Sequence, residues 1–180
     1  MAHNSTTERL LSSNAKWRPS WTTPVTMGQM RQGAAINKPL MIITCMDPRC
    51  EPTKFLGSEA GPFATVSNAG GRATADAVRS ILVFRSLFVA SERVTVAVVQ
   101  HTDCGVTYFD DQHVKDEVKE RTPAEAARAD AIEFGTFAAE DLEDTIRKDV
   151  QSLKDEKMLE GVDVLGFNFI TETGELKLVC

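Results

Sequence analysis

Residues 40–45 read Leu-Met-Ile-Ile-Thr-Cys, and residues 93–101 read Arg-Val-Thr-Val-Ala-Val-Val-Gln-His. Both runs are short, nearly continuously apolar and rich in β-branched residues, the pattern of strands buried on both faces of a parallel sheet. Each ends on a residue that carries chemistry, Cys45 and His101. A third strand candidate, Phe63–Gly71, closes on a glycine turn. Between it and Arg93, the stretch Thr74–Ala90 has helical length with Thr74 as N-cap. Its Val78, Ile81, Leu82, Val83, Phe84, Leu87, Phe88 and Val89 cannot share one stripe, so this helix is expected to be covered on two sides, by its own sheet and by something else.

Beyond His101 the chain turns polar. Thr122-Pro123-Ala124-Glu125 reads as a capping box with proline at the first helical position. Residues 140–158 set Leu142, Ile146, Val150 and Leu153 on one face of an amphipathic helix. The alternating runs 162–171 and 174–180 flank Thr173-Gly174, which predicts a strand and a short hairpin partner at the sheet edge. This order predicts one α/β domain over residues 38–180, a three-layer fold with a central mostly parallel β-sheet flanked by helices. Residues 1–37 are polar and broken by Pro19 and Pro24, and Trp17 and Trp21 have no core of their own there. They are expected to form an irregular N-terminal arm that packs on a partner subunit.

Composition narrows the function. A chain of 180 residues with 42% hydrophobic content can bury a core without disulfides. A formal net charge of −6, with no Lys/Arg-rich run, excludes nucleic acid as the expected partner. No stretch approaches the roughly 20 apolar residues of a membrane span, and the first residues lack a signal-peptide core, so a cytoplasmic protein is expected. The Ser, Thr and Arg content before Pro19, with Glu8 as the only acid, leaves organelle targeting as the alternative. Four cysteines in a reducing compartment read as metal or catalytic thiols rather than as a disulfide framework.

Two short motifs stand at the ends of strands, Cys45-Met46-Asp47-Pro48-Arg49 and His101-Thr102-Asp103-Cys104-Gly105. In an open α/β sheet the carboxyl ends of the strands are where ligand sites form, so residues distant in sequence converge there. Thiolate and imidazole are zinc-selecting ligands, and three of them leave an open position for water. A single buried cysteine is more often a small hydrophobe; Cys45, His101 and Cys104 together make the case for a metal.

The ordered pair Cys-x-Asp-x-Arg and His-x-x-Cys, with Ser67-Asn68-Ala69-Gly70 between them, resembles the β-class carbonic anhydrases, in particular their short, compact branch. The resemblance runs from about Leu40 to the C-terminal strands. It implies that Cys45, His101 and Cys104 ligate zinc (Zn2+), while Asp47 and Arg49 are the catalytic pair beside the open position. Asp47 would accept a hydrogen bond from the metal's water, and Arg49 would grip that carboxylate and keep it off the metal. Pro48 departs from the serine usual at its position, which puts the loop's hydrogen bonding in question and not the ligands. The activity implied is hydration of carbon dioxide, CO2, to bicarbonate, in a homodimer or higher homo-oligomer. The rival on the same scaffold is hydrolysis of carbonyl sulfide (COS) or carbon disulfide. The rival of another class is a non-catalytic zinc or redox-sensing module in which Cys50 or Asp47 closes the metal.

Other residues are read more plainly. Cys50 is expected to pack locally at a helix start, Cys180 to be inert, and His113 to be a solvated surface histidine rather than a proton shuttle. Asp103 is an outer-shell candidate. Asn68-Ala69-Gly70-Gly71 lacks phosphate-loop spacing, so close backbone packing near the site is expected. Val66, Phe84, Phe88 and Tyr108 are the candidate pocket walls.

Overall fold

The apolar run Leu40–Cys45 forms strand β1, at the interior of a five-stranded sheet. Strands β2 (Ala64–Asn68), β3 (Val94–His101), β4 (Val162–Ile170) and β5 (Glu175–Leu178) complete it in the order β2-β1-β3-β4-β5. The first four strands are parallel and β5 pairs antiparallel with β4 through the Thr173-Gly174 turn, as the alternation predicts. Because β2 and β3 lie on opposite sides of β1, the chain reverses its direction of winding at β1. The carboxyl ends of β1 and β3 therefore flank the crevice where open α/β sheets bind ligands. The computed structural model describes residues 2–24, 26, 28, 29, 39–88 and 93–180.

Contacts divide the chain into Met1–Ala35 and Ile36–Cys180. The first unit is not the irregular segment expected: Ala2–Trp17 is a helix, α1. No proline or glycine interrupts it before Pro19, its Ala, Leu, Glu, Arg and Lys residues are good helix formers, and Lys16 complements the last turn. Trp17 and Trp21 face each other with ring centroids 5.1 Å apart.

In the second unit, helix α2 (Pro52–Phe55) follows β1, and α3 (Ala75–Leu87) joins β2 to β3. The Thr74 hydroxyl caps α3 by accepting from the Ala77 amide, as expected. Val89 and Ala90, the expected end of this helix, lie outside the described residues. Helices α4 (Asp111–Arg121), α5 (Ala126–Asp130) and α6 (Leu142–Asp155) lie between β3 and β4. The capping box fails: Thr122 makes no side-chain cap, and a single 3-10 turn over Pro123–Glu125 precedes the short α5. Thr122 is already committed to closing α4, its amide bonded to the Val118 carbonyl.

One face of the sheet buries Met41, Ile43, Val96, Val98 and Val164 against Ala77, Ile81 and Phe84 of α3 and Leu142, Ile146, Val150 and Leu153 of α6. Each such aliphatic contributes about 1.5–3 kcal/mol. Gly166 lets α6 approach: a Cβ there would stand 2.6 Å from Ile146 Cγ2 and 2.9 Å from Val150 Cγ2. The other face packs Ile42, Ala97, Val99 and Phe169 against Cys50, Val106 and Phe55, whose ring stacks on Phe169 at 4.4 Å. Within the chain α3 is covered on one side only, and Val83 is 54% exposed.

Segment 134–136 crosses the carboxyl edge of the sheet between two opposite charges. Asp111 accepts from the amides of Phe134, Gly135 and Thr136 and from the Thr136 hydroxyl. The Arg72 guanidinium donates to the Gly135 carbonyl and pairs with Asp149 at 2.7 Å, and Asp149 also accepts from buried Gln100. Burial pushes the Asp111 carboxyl up, but the Thr136 hydroxyl and the three amides outweigh it and hold it at about 2, below its ordinary 3.8. A depressed carboxyl stabilises the fold above its unfolded pKa, and that contribution is lost as pH falls through the folded value. Asp111→Ala should therefore unfold at lower denaturant concentration than wild type by a margin that is constant above about pH 4 and narrows toward pH 2. Chemical denaturation across that range measures it, and a margin independent of pH would remove Asp111 from the acid response.

Candidate metal centre

Cys45 ends β1, His101 ends β3, and Cys104 follows two residues after Thr102 in the loop beyond β3. Strand pairing brings these ends together although 56 positions separate Cys45 from His101 (101 − 45). The three side chains are buried, and their ligand atoms lie within 4.8 Å of one another. Cys45 Sγ and Cys104 Sγ stand 3.7 Å apart.

His101 decides whether a metal fits. Its Nδ1 lies 2.9 Å from the Thr102 carbonyl, a contact that requires the proton on Nδ1 and leaves the Nε2 lone pair free. Nε2 is buried with no hydrogen-bond partner. A buried acceptor left unpaired costs about 1–3 kcal/mol, and a metal held with the two sulfurs would satisfy it. The donor set of two thiols and one imidazole, with the imidazole locked in the ligating tautomer, fits a metal ion. The thiols are already disposed to lose protons: the Cys104 S–H donates to Cys45 and lowers its pKa against the opposing effect of burial, with help from His101 and the amides of Asp47 and Gly70. The same proton sharing, with burial, raises Cys104.

The turn after β2 shapes this floor. Asn68 bonds the amide and the carbonyl of Arg72 with its side chain, closing a loop in which Gly70 and Gly71 both have positive φ. A Cβ on Gly71 would lie 2.9 Å from the Cys45 amide nitrogen and from the Val99 carbonyl. Only glycine lets this turn press on β1 and β3 where the ligands sit, the close backbone packing expected of the motif.

Asp47 and Arg49 stand beside the triad. Asp47 caps the 3-10 turn Pro48–Cys50 by accepting from the Arg49 amide. The Arg49 guanidinium grips the same carboxylate through Nε (3.0 Å) and Nη2 (2.7 Å). These hydrogen bonds hold the Asp47 carboxyl at about 2 despite partial burial, so it is an acceptor at any physiological pH. Pro48 does not disturb the loop, since it occupies the first position of the turn. Asp103 was undervalued by the sequence reading: it takes Arg49 Nη1 at 2.7 Å and a bond from the Tyr108 hydroxyl at 2.8 Å.

A cavity of about 480 Å³ opens over Cys45, Asp47 and Cys104. Its walls are Met46, Pro48, Val106, Phe109, Val114, Phe134 and Thr136, with Gly70 below. The expected walls are mostly wrong. Val66, Phe84 and Phe88 pack in the core between the sheet and helices α3 and α6, because alternation along β2 and the inner stripe of α3 direct them there. Tyr108 is 75% exposed and reaches Asp103 instead. The true walls come from irregular segments and the edge of α4, where no periodicity marks a facing direction.

The remaining candidates fall as read. Cys50 is buried outside the ligand group, and burial first, then the charges of Cys45 and Asp47, push its thiol up to about 12. That position does not favour a fourth-ligand role. His113 lies exposed on α4, 3.7 Å from Glu117 and stacked near Phe109. Cys180 is exposed. Among the described residues no helix is long and apolar enough to cross a membrane.

Comparison with known proteins agrees with this geometry. The family model described as carbonic anhydrase matches residues 40–176. Beta-carbonic anhydrase 1 of Mycobacterium tuberculosis is 25% identical over 177 residues, covering 96% of this chain and 97% of that protein. A carbon disulfide hydrolase of Acidianus is 36% identical over 83 residues, 46% of this chain and 39% of its own length. The crystal structure of a carbonic anhydrase from Streptococcus mutans superposes with a TM-score of 0.75 at 25% identity, covering 96% of both chains. With the family's model spanning every strand and relatives aligned end to end, the chain belongs to the β-carbonic anhydrase family.

Proposed function

We propose that this chain is a zinc enzyme that hydrates carbon dioxide reversibly, converting carbon dioxide and water to bicarbonate and a proton. The observation that carries the reading is the buried, unpartnered Nε2 of His101 converging with two thiols at the floor of the cavity, beside a carboxylate that Arg49 holds ionised. Cys45, His101 and Cys104 would hold the ion. Two sulfurs at about 2.3 Å from a tetrahedral zinc lie about 3.7 Å apart, which matches the separation of Cys45 Sγ and Cys104 Sγ of 3.7 Å. Zinc held there would lower the pKa of water enough to supply hydroxide near neutral pH.

The protein's own groups do the rest. Asp47, with lone pairs beyond those used by Arg49, accepts the proton of a water or bicarbonate hydroxyl and orients its oxygen toward the carbon. Arg49 keeps this carboxylate from swinging onto the ligands. The apolar walls from Met46, Val106, Phe109, Val114 and Phe134 admit a neutral linear molecule and give an anion little to bind, which favours release of product.

Hydrolysis of carbonyl sulfide or carbon disulfide is the second reading, supported by the likeness to the Acidianus carbon disulfide hydrolase and by the apolar cavity. The chain is read as at least a homodimer, since α3 leaves Val83 uncovered and Met46 is 67% exposed at the cavity wall. Four free cysteines fit the reducing cytoplasm.

Metal analysis should find about one zinc per chain, and Cys45→Ser, His101→Ala and Cys104→Ser should each strip it; full zinc after any one removes that residue from the set. Asp47→Ala and Arg49→Ala should keep zinc yet lose about 10- to 100-fold in turnover, and a wild-type rate in either would refute the orienting role. Stopped-flow hydration run beside sulfide release from carbonyl sulfide and carbon disulfide tests the substrate. Carbon dioxide turnover is expected to dominate, and faster sulfide release would reassign the substrate while leaving the zinc site in place.

A further inference from the structure

Arg49 is an exposed side chain on a flexible stem, and its partner Asp47 lies only two residues away in the same loop. A pair of this kind, with the arginine 48% exposed, is ordinarily worth about 0–1 kcal/mol and is loosely held. Here the guanidinium is committed further. Nε and Nη2 donate to Asp47, Nη1 donates to Asp103 Oδ2 at 2.7 Å, and Nη2 also donates to the Asp103 carbonyl at 2.9 Å. Four of the five N–H donors of an arginine are thereby placed.

Asp103 is itself fixed from two directions. It is the one non-glycine residue with positive φ among the described residues, at 53°, a conformation that Asp and Asn adopt more readily than other side chains. Its second oxygen, Oδ1, accepts from the Tyr108 hydroxyl at 2.8 Å. Among the described residues its carboxylate bonds only Arg49 and Tyr108, so it caps no turn of its own loop.

We propose that Asp103 is a positioning residue for Arg49, braced by Tyr108, so that the grip on Asp47 is anchored in both ligand-bearing loops. The proposal rests on the reading of Asp47 and Arg49 given above. Asp103 touches neither the triad nor the cavity wall, and it acts through Arg49 alone. Loss of its charge frees one edge of the guanidinium and lets Arg49 and Asp47 move as an exposed local pair.

The test uses the zinc-loaded full chain and variants that spare the backbone. Asp103→Asn keeps the shape and tolerates positive φ, Asp103→Gly keeps the backbone freedom without a side chain, and Tyr108→Phe removes only the brace. Hydrogen exchange of the Arg49 Nε–H, followed by nitrogen-15 NMR, reports the grip independently of turnover. Asp103→Asn and Asp103→Gly are expected to retain zinc, to speed that exchange several-fold, and to lower kcat about tenfold with KM unchanged. Tyr108→Phe should do the same to a smaller degree. In an Arg49→Ala background, Asp103→Asn should cost nothing more, because the two act as a unit. Unchanged Arg49 exchange in Asp103→Asn, additive losses in the double variant, or loss of zinc from both Asp103 variants would each overturn the proposal. A wild type inert toward all three gases would instead overturn the proposed function, and the exchange measurement would still decide the role of Asp103.

Discussion

Everything distinctive in this chain depends on the carboxyl ends of two neighbouring parallel strands being held close enough for side chains on them to share one centre. Strands β1 and β3 pair over Leu40–Thr44 and Thr95–Val99, and Cys45 and His101 are what each strand presents as it leaves the sheet. The approach is tightened from below by Gly71, where any Cβ would collide with the Cys45 amide. It is stiffened from the side by the Thr102 carbonyl, which sets the tautomer of His101. That carbonyl also accepts from the Thr171 hydroxyl, so the hairpin turn after β4 helps orient the imidazole. Burial of two thiols and an unpaired imidazole nitrogen is unfavourable for the fold on its own. The surrounding strands are apolar along nearly their whole length, and their packing offsets that local cost.

The second organising feature is the alternation of charge along the mouth of the cavity. Asp47, Arg49 and Asp103 form an exposed acid–base–acid row, while Asp111, segment 134–136, Arg72 and Asp149 form a half-buried one. The first row governs a carboxylate at the ligands. The second holds the backbone that carries Phe134 and Thr136 into the wall. Neither row contributes much net charge, so the electrostatics serve orientation rather than attraction of an ion. That suits a substrate without charge.

How much of this was legible in the sequence follows the range of the forces involved. The strands, α3 with its Thr74 cap, α6 and the β4–β5 hairpin are set by local periodicity and turn chemistry, and all appear near their expected limits. The ligand triad was legible because strand ends converge by topology and because the two motifs resemble those of a known family. Three features were not. Helix α1 was missed because a polar segment without an apolar stripe gives no amphipathic signal, even where propensity favours helix. The Thr122 cap was misassigned because one threonine cannot close α4 and open the next helix at once. Asp103 and the cavity walls depend on contacts between loops, which neither pattern nor propensity encodes; the nearest available signal was an acid placed between two ligands opposite a motif arginine.

The walls also bear on why the substrate question is hard to read from the ligands. Carbon dioxide, carbonyl sulfide and carbon disulfide are linear and uncharged, and none needs a charged anchor. The motif residues treat them alike, since Asp47 and Arg49 act on the attacking oxygen and not on the far end of the molecule. Discrimination falls to Val106, Phe109, Val114 and Phe134, through fit alone. Exchanging oxygen for sulfur is a change of about one methylene in size, for which an apolar wall offers about 1–3 kcal/mol. Small shifts of these side chains are therefore enough to change the preferred gas. Segment 134–136 sits where such a shift is most readily made, because it is tied to the domain by Asp111 and Arg72 rather than by strand pairing.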